Sequence, residues 1–280
     1  MSDGQRKNHL AEFNKLLNAN CYKYHTVEVF RDFCRMAAIA LSNPFYGGKF
    51  EEEYASIEKN YDKESNDRFK GMFRILVEAL QDDPHDFLGD AFMSNDMGSS
   101  YRGQFFTPQN ICDFMAELTI TDIKEQLKNK EFITLNEPAC GAGAMVIAAV
   151  KKFINEGLNH STQLYVVAQD VDPICADMAY VQLSLLGVAA KVVLGDTLAM
   201  TCHRTLATPI YFVERWNMRL ERRKMEEEAK ALLENQQDVE METQIDEVAN
   251  TIKPHHKQSR VTPSLFEGFA KFTSTMNQAS

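Results

Sequence analysis

The stretch Glu137-Pro138-Ala139-Cys140-Gly141-Ala142-Gly143 limits what this chain can fold into more than any other part of it. Before it stands Phe132-Ile133-Thr134-Leu135, a short apolar and β-branched run that predicts a strand. After it stands Ala144-Met145-Val146-Ile147-Ala148-Ala149-Val150, which suits a buried helix. Glycines between a strand and a helix let the backbone pass close beneath a nucleotide-like ligand. A tight turn with no ligand would use the same residues, so the loop alone leaves both readings open.

The pattern then repeats. Leu164-Tyr165-Val166-Val167-Ala168 predicts a second strand, ending at Gln169-Asp170-Val171-Asp172-Pro173. A helical stretch over about Ile174–Leu186 leads to a third strand at Ala190–Leu194, which ends in Gly195-Asp196. Strands and helices in alternation, with apolar strands, predict an α/β fold with a doubly wound parallel sheet. Pro209-Ile210-Tyr211-Phe212-Val213 is read as a fourth strand. At the end of the second strand the Asp170 carboxylate can accept hydrogen bonds from both hydroxyls of a ribose. At the end of the third, Asp196 can meet the exocyclic amine of an adenine. Ligands of open α/β sheets bind outside the carboxyl ends of the strands, where these three features fall.

Elsewhere the sequence is less specific. Residues from about 8 to 95 read as helical, with Phe30, Phe33, Cys34 and Ala37, then Phe69, Met72, Phe73 and Leu76, at helix spacing. Ser42-Asn43-Pro44-Phe45-Tyr46-Gly47-Gly48 interrupts them as a turn. Arg219–Glu234 is a charged, helix-favouring stretch, read as a solvated helix or a partner helix. From about 236 onward the chain is polar, and flexibility is the expectation there, with His255 and His256 solvent-exposed. The divisions expected are a helical domain over 1–100, a ligand-binding α/β domain over 101–216, and a charged helix and tail over 217–280.

Charge narrows the partners. The net charge of the 280 residues is −10. A protein that grips duplex DNA by itself neutralises phosphates with Lys and Arg and is usually basic, at least on one face. This balance favours indirect or weak contact with DNA, through a partner that holds it. No run approaches a membrane span, and the polar N-terminus has no signal-peptide core, so no membrane and a cytoplasmic location are expected. The six cysteines are scattered, with no paired metal-ligand spacing, and read as reduced thiols.

With these residues in view, the chain resembles adenine-N6 DNA methyltransferases, in the group containing the methylation subunits of type I restriction–modification systems. The Glu137–Gly143 loop looks like their first motif. Gly103-Gln104-Phe105-Phe106-Thr107-Pro108 resembles their other cofactor motif, which packs against the methionine end of S-adenosylmethionine. Asp86–Met93 looks like the segment before that motif, Gln169–Pro173 matches the acidic ribose-binding turn, and Gly195-Asp196-Thr197-Leu198 matches the adenine-binding one. The likeness spans roughly residues 25 to 200 in the family's order. It implies a Rossmann-like S-adenosylmethionine-dependent methyltransferase sheet, shortened here, behind an N-terminal helical domain. It also implies S-adenosylmethionine as cofactor, held by Phe106, Thr107, Pro108, Glu137, Pro138, Ala139, Gly141, Gly143, Asp170 and Asp196. No metal is implied.

One motif of the family is missing. After the next strand such enzymes present Asn/Asp-Pro-Pro-Tyr/Phe, which holds and stacks on the flipped adenine. This sequence contains no such tetrapeptide. The nearest in order is Thr208-Pro209-Ile210-Tyr211, which makes Pro209 and Tyr211 the catalytic candidates, with Tyr211 expected to be largely buried in a strand. Two functions follow from this reading. One is an adenine-N6 methyltransferase homologue that works with a specificity or methylation subunit. The other is a non-catalytic cofactor-binding module that regulates or interferes with a restriction–modification complex.

Overall fold

The computed structural model describes residues 3–97 and 106–251. It divides into two compact units, residues 1–221 and 222–280.

Five helices come first: α1 (Asp3–Ala19), α2 (Thr26–Ser42), α3 (Glu51–Glu58), α4 (Lys63–Asp82) and α5 (Phe87–Ser94). Side chains set where two of them begin. Asp62 accepts from the Ser65 N–H at the start of α4, and Asp86 accepts from the Gly89 N–H at the start of α5. A single phenylalanine, Phe13, joins three elements. Its ring meets Phe33, Phe87 and Phe30 edge-on, with centroids 5.4, 5.3 and 6.5 Å away.

Next come α6 (Gln109–Thr119) and α7 (Ile123–Asn129), and then the sheet. Strand β1 (Ile133–Glu137) leads through the glycine loop to α8 (Ala144–Asn155) and the short α9 (His160–Gln163). Strand β2 (Leu164–Asp170) is followed by α10 (Pro173–Leu185) and β3 (Ala189–Leu194). These are the three strands and two helices that the sequence predicts. Asp172 accepts from the Ile174 N–H and Pro173 takes the first turn, so α10 starts with both customary signals.

The fourth strand is not where the sequence placed it. Strand β4 is Arg204–Ala207, and Pro209–Val213 is a short helix, α11. The reason is local. Thr208 is extended, its hydroxyl donates to the Val188 carbonyl, and Pro209 then opens a helical turn with its φ already set. Tyr211 is buried, at 7% exposure, but in a helix rather than a strand.

The sheet runs in sequence order, β1-β2-β3-β4. The first three strands are parallel, with Glu137 opposite Ala168 and Asp170 opposite Leu194, and β4 returns antiparallel along β3. Successive right-handed crossovers in one direction put their helices on one face of a sheet. Accordingly Leu164, Val166 and Ala168 face a core that includes Ile147 and Phe153 of α8, Met178 and Val181 of α10, and the N-terminal helices back to Phe13. Helix α10 is buried almost all round, between the sheet and α2. Tyr165 and Val167, which alternate with them, face a second cluster with Phe132, Tyr211 and Trp216. Short α11 and the start of α12 (Trp216–Thr251) cover that face.

Past Glu221, α12 continues in the second unit as a charged helix with i,i+4 pairs such as Arg223–Glu227 at 2.8 Å. The predicted helix is therefore present and longer than expected, while His255 and His256 lie outside the described residues. No helix among the described residues is long and apolar enough to cross a membrane.

Trp216 is the tie of the second face. It is fully buried, stacks on Tyr165 at 5.6 Å, meets Phe132 at 4.8 Å and donates from its indole N–H to the Ser161 carbonyl at 3.1 Å. Trp216→Ala should cost about 3–5 kcal/mol in urea unfolding. A loss below about 1 kcal/mol would mean that this face is not packed as described.

Candidate functional site

The carboxyl ends of β1, β2 and β3 lie side by side, and their loops bond to one another. Gly141 and Gly143 both take positive φ, +53° and +103°, which a side chain would strain. The Cys140 N–H donates to the Gln169 carbonyl at 2.8 Å, and the Gly141 N–H donates to Asp170 Oδ2 at 2.8 Å. The other Asp170 oxygen accepts from the Asp172 N–H at 2.8 Å. Each of its oxygens thus takes one backbone donor, and a carboxylate has room for about four. Burial pushes its carboxyl above the usual range, and these backbone donors pull the other way. From the third strand, Gly195 donates to the Asp170 carbonyl at 2.9 Å, and the Thr197 hydroxyl donates to the Pro138 carbonyl at 2.7 Å. The Asp196 side chain turns its own loop, accepting from Leu198 and Ala199 N–H at 2.8 and 3.0 Å.

Phe106 brings the upstream motif to this place. A β-carbon on Gly141 would lie 3.1 Å from its ring, so ring and glycine are in close contact. A cavity of about 100 Å³ opens beside them, lined by Asp86, Phe106, Thr107, Ala139, Cys140 and Gly141 among others. That is room for roughly three waters, enough for the end of a ligand and not for a nucleoside. Phe106, Thr107, Glu137, Pro138, Ala139, Gly141, Gly143, Asp170 and Asp196 are therefore all at one end of the sheet. Pro108 caps α6 just beyond, and Gly103-Gln104-Phe105 lie outside the described residues.

Pro209 and Tyr211 are not brought to this site. Because β4 runs antiparallel, Ala207 pairs with Lys191, and Thr208 then bonds Ala190 and Val188 at the amino end of β3. The glycine loop is at the carboxyl end, roughly 15 Å along the strand. Tyr211 packs against Tyr165 at 6.2 Å and beneath the Lys191 ammonium at 5.4 Å, which is a role in the core.

Two residues that sequence reasoning left out of the site stand beneath the loop. Gln182, fully buried on α10, donates to the Ala142 carbonyl and to Asp86 Oδ1, both at 2.8 Å, and accepts from the Leu88 N–H at 3.0 Å. Asp86, 5% exposed, also accepts from the Gly89 N–H at 2.9 Å. The signal for Gln182 is a long polar side chain between Val181 and Leu183 in a helix with few polar residues. A larger cavity, about 430 Å³, lies away from the loop and is lined by Arg35, Glu53, Asp177 and Arg204. Its charges are spent on each other: Arg35 pairs with Glu53 at 2.5 Å, and both Arg35 and Arg204 reach Asp177.

In open α/β sheets ligands bind outside the carboxyl ends of the strands, where this glycine loop and these carboxylates lie. The N-6 DNA Methylase family model matches residues 83–241, more than half of the chain, and the chain belongs to that family. Among solved structures, a Listeria monocytogenes protein described as a class I S-adenosylmethionine-dependent methyltransferase is similar at 14% identity and a TM-score of 0.39, over 66% of this chain and 52% of its own. The type I restriction–modification methyltransferase subunit of Streptococcus thermophilus is similar at 14% identity and a TM-score of 0.33, over 67% and 57%. The DrdV–DNA complex is similar at 15% identity and a TM-score of 0.30, over 66% and 21%. The chain thus spans about half the length of the first two. No curated protein matches it.

Burial pushes the Asp86 carboxyl up to about 6, with nearby Asp90 adding to the rise and the Gln182 and Gly89 bonds opposing it. An unfolded aspartate titrates near 3.9. The folded state therefore holds the proton more tightly, and this group costs stability as pH rises from about 4 to 6. Asparagine keeps the capping bonds without the charge. Asp86→Asn should raise the stability of the ligand-free protein at pH 8 by on the order of 2 kcal/mol, a gain that fades as pH falls from about 6 to 4. Thermal melts across that range check it, and a pH-independent difference would contradict it.

Proposed function

We propose that the chain binds S-adenosylmethionine at the carboxyl ends of β1–β3 and forms the cofactor-binding part of a DNA adenine-N6 methyltransferase of the type I methylation-subunit group. The observation that carries this is the meeting of Phe106, the Glu137–Gly143 loop, Asp170 and Asp196 at one end of a parallel sheet, in a chain of the N-6 DNA methylase family. The residues suit the group. The two glycines leave a backbone surface free of β-carbons, and the Phe106 ring walls it. Asp170 keeps lone pairs for ribose hydroxyls, Asp196 lies at the next strand end for the adenine amine, and Thr107 lines the inner cavity with Ala139. When bound, S-adenosylmethionine supplies an activated methyl group, and the work of these residues is to hold and orient it.

Transfer also needs a loop that holds the target adenine. Pro209 and Tyr211 are at the far end of the sheet, and in this reading a partner, such as a specificity or methylation subunit, supplies that loop and grips the DNA. The acidic charge favours the same division of labour in a cytoplasmic complex. The position of Tyr211 equally favours a second reading, a non-catalytic module that binds cofactor and regulates or interferes with a restriction–modification complex.

Calorimetry should give saturable S-adenosylmethionine binding that Asp170→Ala weakens by about 1.5–3 kcal/mol, the range for hydrogen bonds to a charged group. An unchanged dissociation constant would remove Asp170 from the site. In a methylation-deficient bacterial host, the chain alone should give no N6-methyladenine above the vector control by mass spectrometry. A clear rise would show that it carries its own adenine-holding loop.

A further inference from the structure

The Asp86 carboxylate has no use in the motifs named so far, and its setting is unusual. It is 5% exposed and lines the small inner cavity together with Thr107, Ala139 and Gly141. Its Oδ1 accepts from the Gly89 N–H and from Gln182. No lysine, arginine or histidine among the described residues pairs with it, and the charge that raises its carboxyl further is another acid, Asp90. A buried carboxylate without a cation is costly to keep ionised. Capping α5 does not require that charge, because asparagine caps as well.

The field in the cavity has one sign. Burial raises the Cys140 thiol, and Asp170, Glu137 and Asp86 all raise it further. Cys112 is pushed up to about 11 by burial, and then by Asp86, Asp113 and Glu137. Asp86 is the carboxylate that lines this space, and Asp170 and Glu137 act on its cysteines from outside the lining. An ammonium placed beside Asp86 would find its counter-charge already fixed. The volume of about 100 Å³ suits the head of an amino acid. Gly89 lets the carboxylate lean where it does, since a β-carbon there would lie 2.1 Å from Asp86 Oδ2.

We propose that Asp86 binds the α-ammonium of the ligand's methionine end. This rests on the cofactor reading above. Asp86 sits far back in the chain from the glycine loop, and Gln182 fixes both by bonding Asp86 and the Ala142 carbonyl at once.

The test is calorimetry of the full chain with S-adenosylhomocysteine and with 5′-methylthioadenosine. Neither has a sulfonium, and only the first has the amino-acid head. Asp86→Asn should weaken S-adenosylhomocysteine about tenfold or more and leave methylthioadenosine within about twofold. Equal weakening of both would make Asp86 a structural residue and overturn the proposal, as would no change in either. Wild-type protein that binds neither compound would overturn the cofactor reading itself, a distinct outcome. If the variant does not fold, wild-type protein decides with decarboxylated S-adenosylhomocysteine, which retains the amine. It should bind about tenfold tighter than methylthioadenosine, and equal affinity would sink the assignment.

Discussion

The carboxamide of Gln182 is the point on which the surroundings of the glycine loop depend. From the last turn of α10 it serves the Ala142 carbonyl in the loop, Asp86 at the start of α5 and the Leu88 N–H two residues further on. Without it the Ala142 carbonyl and the Leu88 N–H would lose these bonds, at a cost of about 1–3 kcal/mol apiece, and Asp86 would keep only its Gly89 bond. A leucine of similar size would fill the volume and abandon all three. The loop conformation, the entry of α5 and the placement of Asp86 are therefore one arrangement, built on a helix that itself bears on the sheet.

A second tie joins the helices to the far side of the sheet. Asp177, 3% exposed on α10, lies between Arg35 of α2 and Arg204 of β4, and Arg35 also holds Glu53 of α3. Such a cluster contributes little net stability over apolar packing, but removing one member leaves a buried charge uncompensated. Its effect is to fix position. Arg204 begins β4, whose pairing with β3 is only four residues long, and the Tyr46 hydroxyl accepts from the Ala207 N–H at its other end.

That dependence explains how much could be read in advance. The strands β1 to β3 and helices α8 and α10 were legible, because their apolar runs, glycines and caps are local signals. Arg204-Thr205-Leu206-Ala207 has no strand pattern and is extended because β3, Arg204's ion pair and Tyr46 hold it so. Pro209–Val213 has five apolar residues, too few for periodicity to separate a strand from a turn of helix. The signal that decides it, Thr-Pro at a helix start, was present at Thr208 and Pro209 and was outweighed by Ile210 and Val213. In the site, the loop and the strand-end acids could be placed from sequence, whereas Asp86 and Gln182 meet across 96 residues and only the fold reveals the pair.

The bond from the Thr197 hydroxyl to the Pro138 carbonyl joins the loops of two strands that are not neighbours, with β2 between them. Together with the Gly141–Asp170 and Gly195–Asp170 bonds, it closes the rim above the strand ends into a ring of hydrogen bonds. Asp170 keeps acceptor room beyond the bonds it makes in this ring, so a ligand can lie across the rim without breaking it. The three loops are then held in place by the protein's own bonds, and an arriving molecule does not have to order them itself.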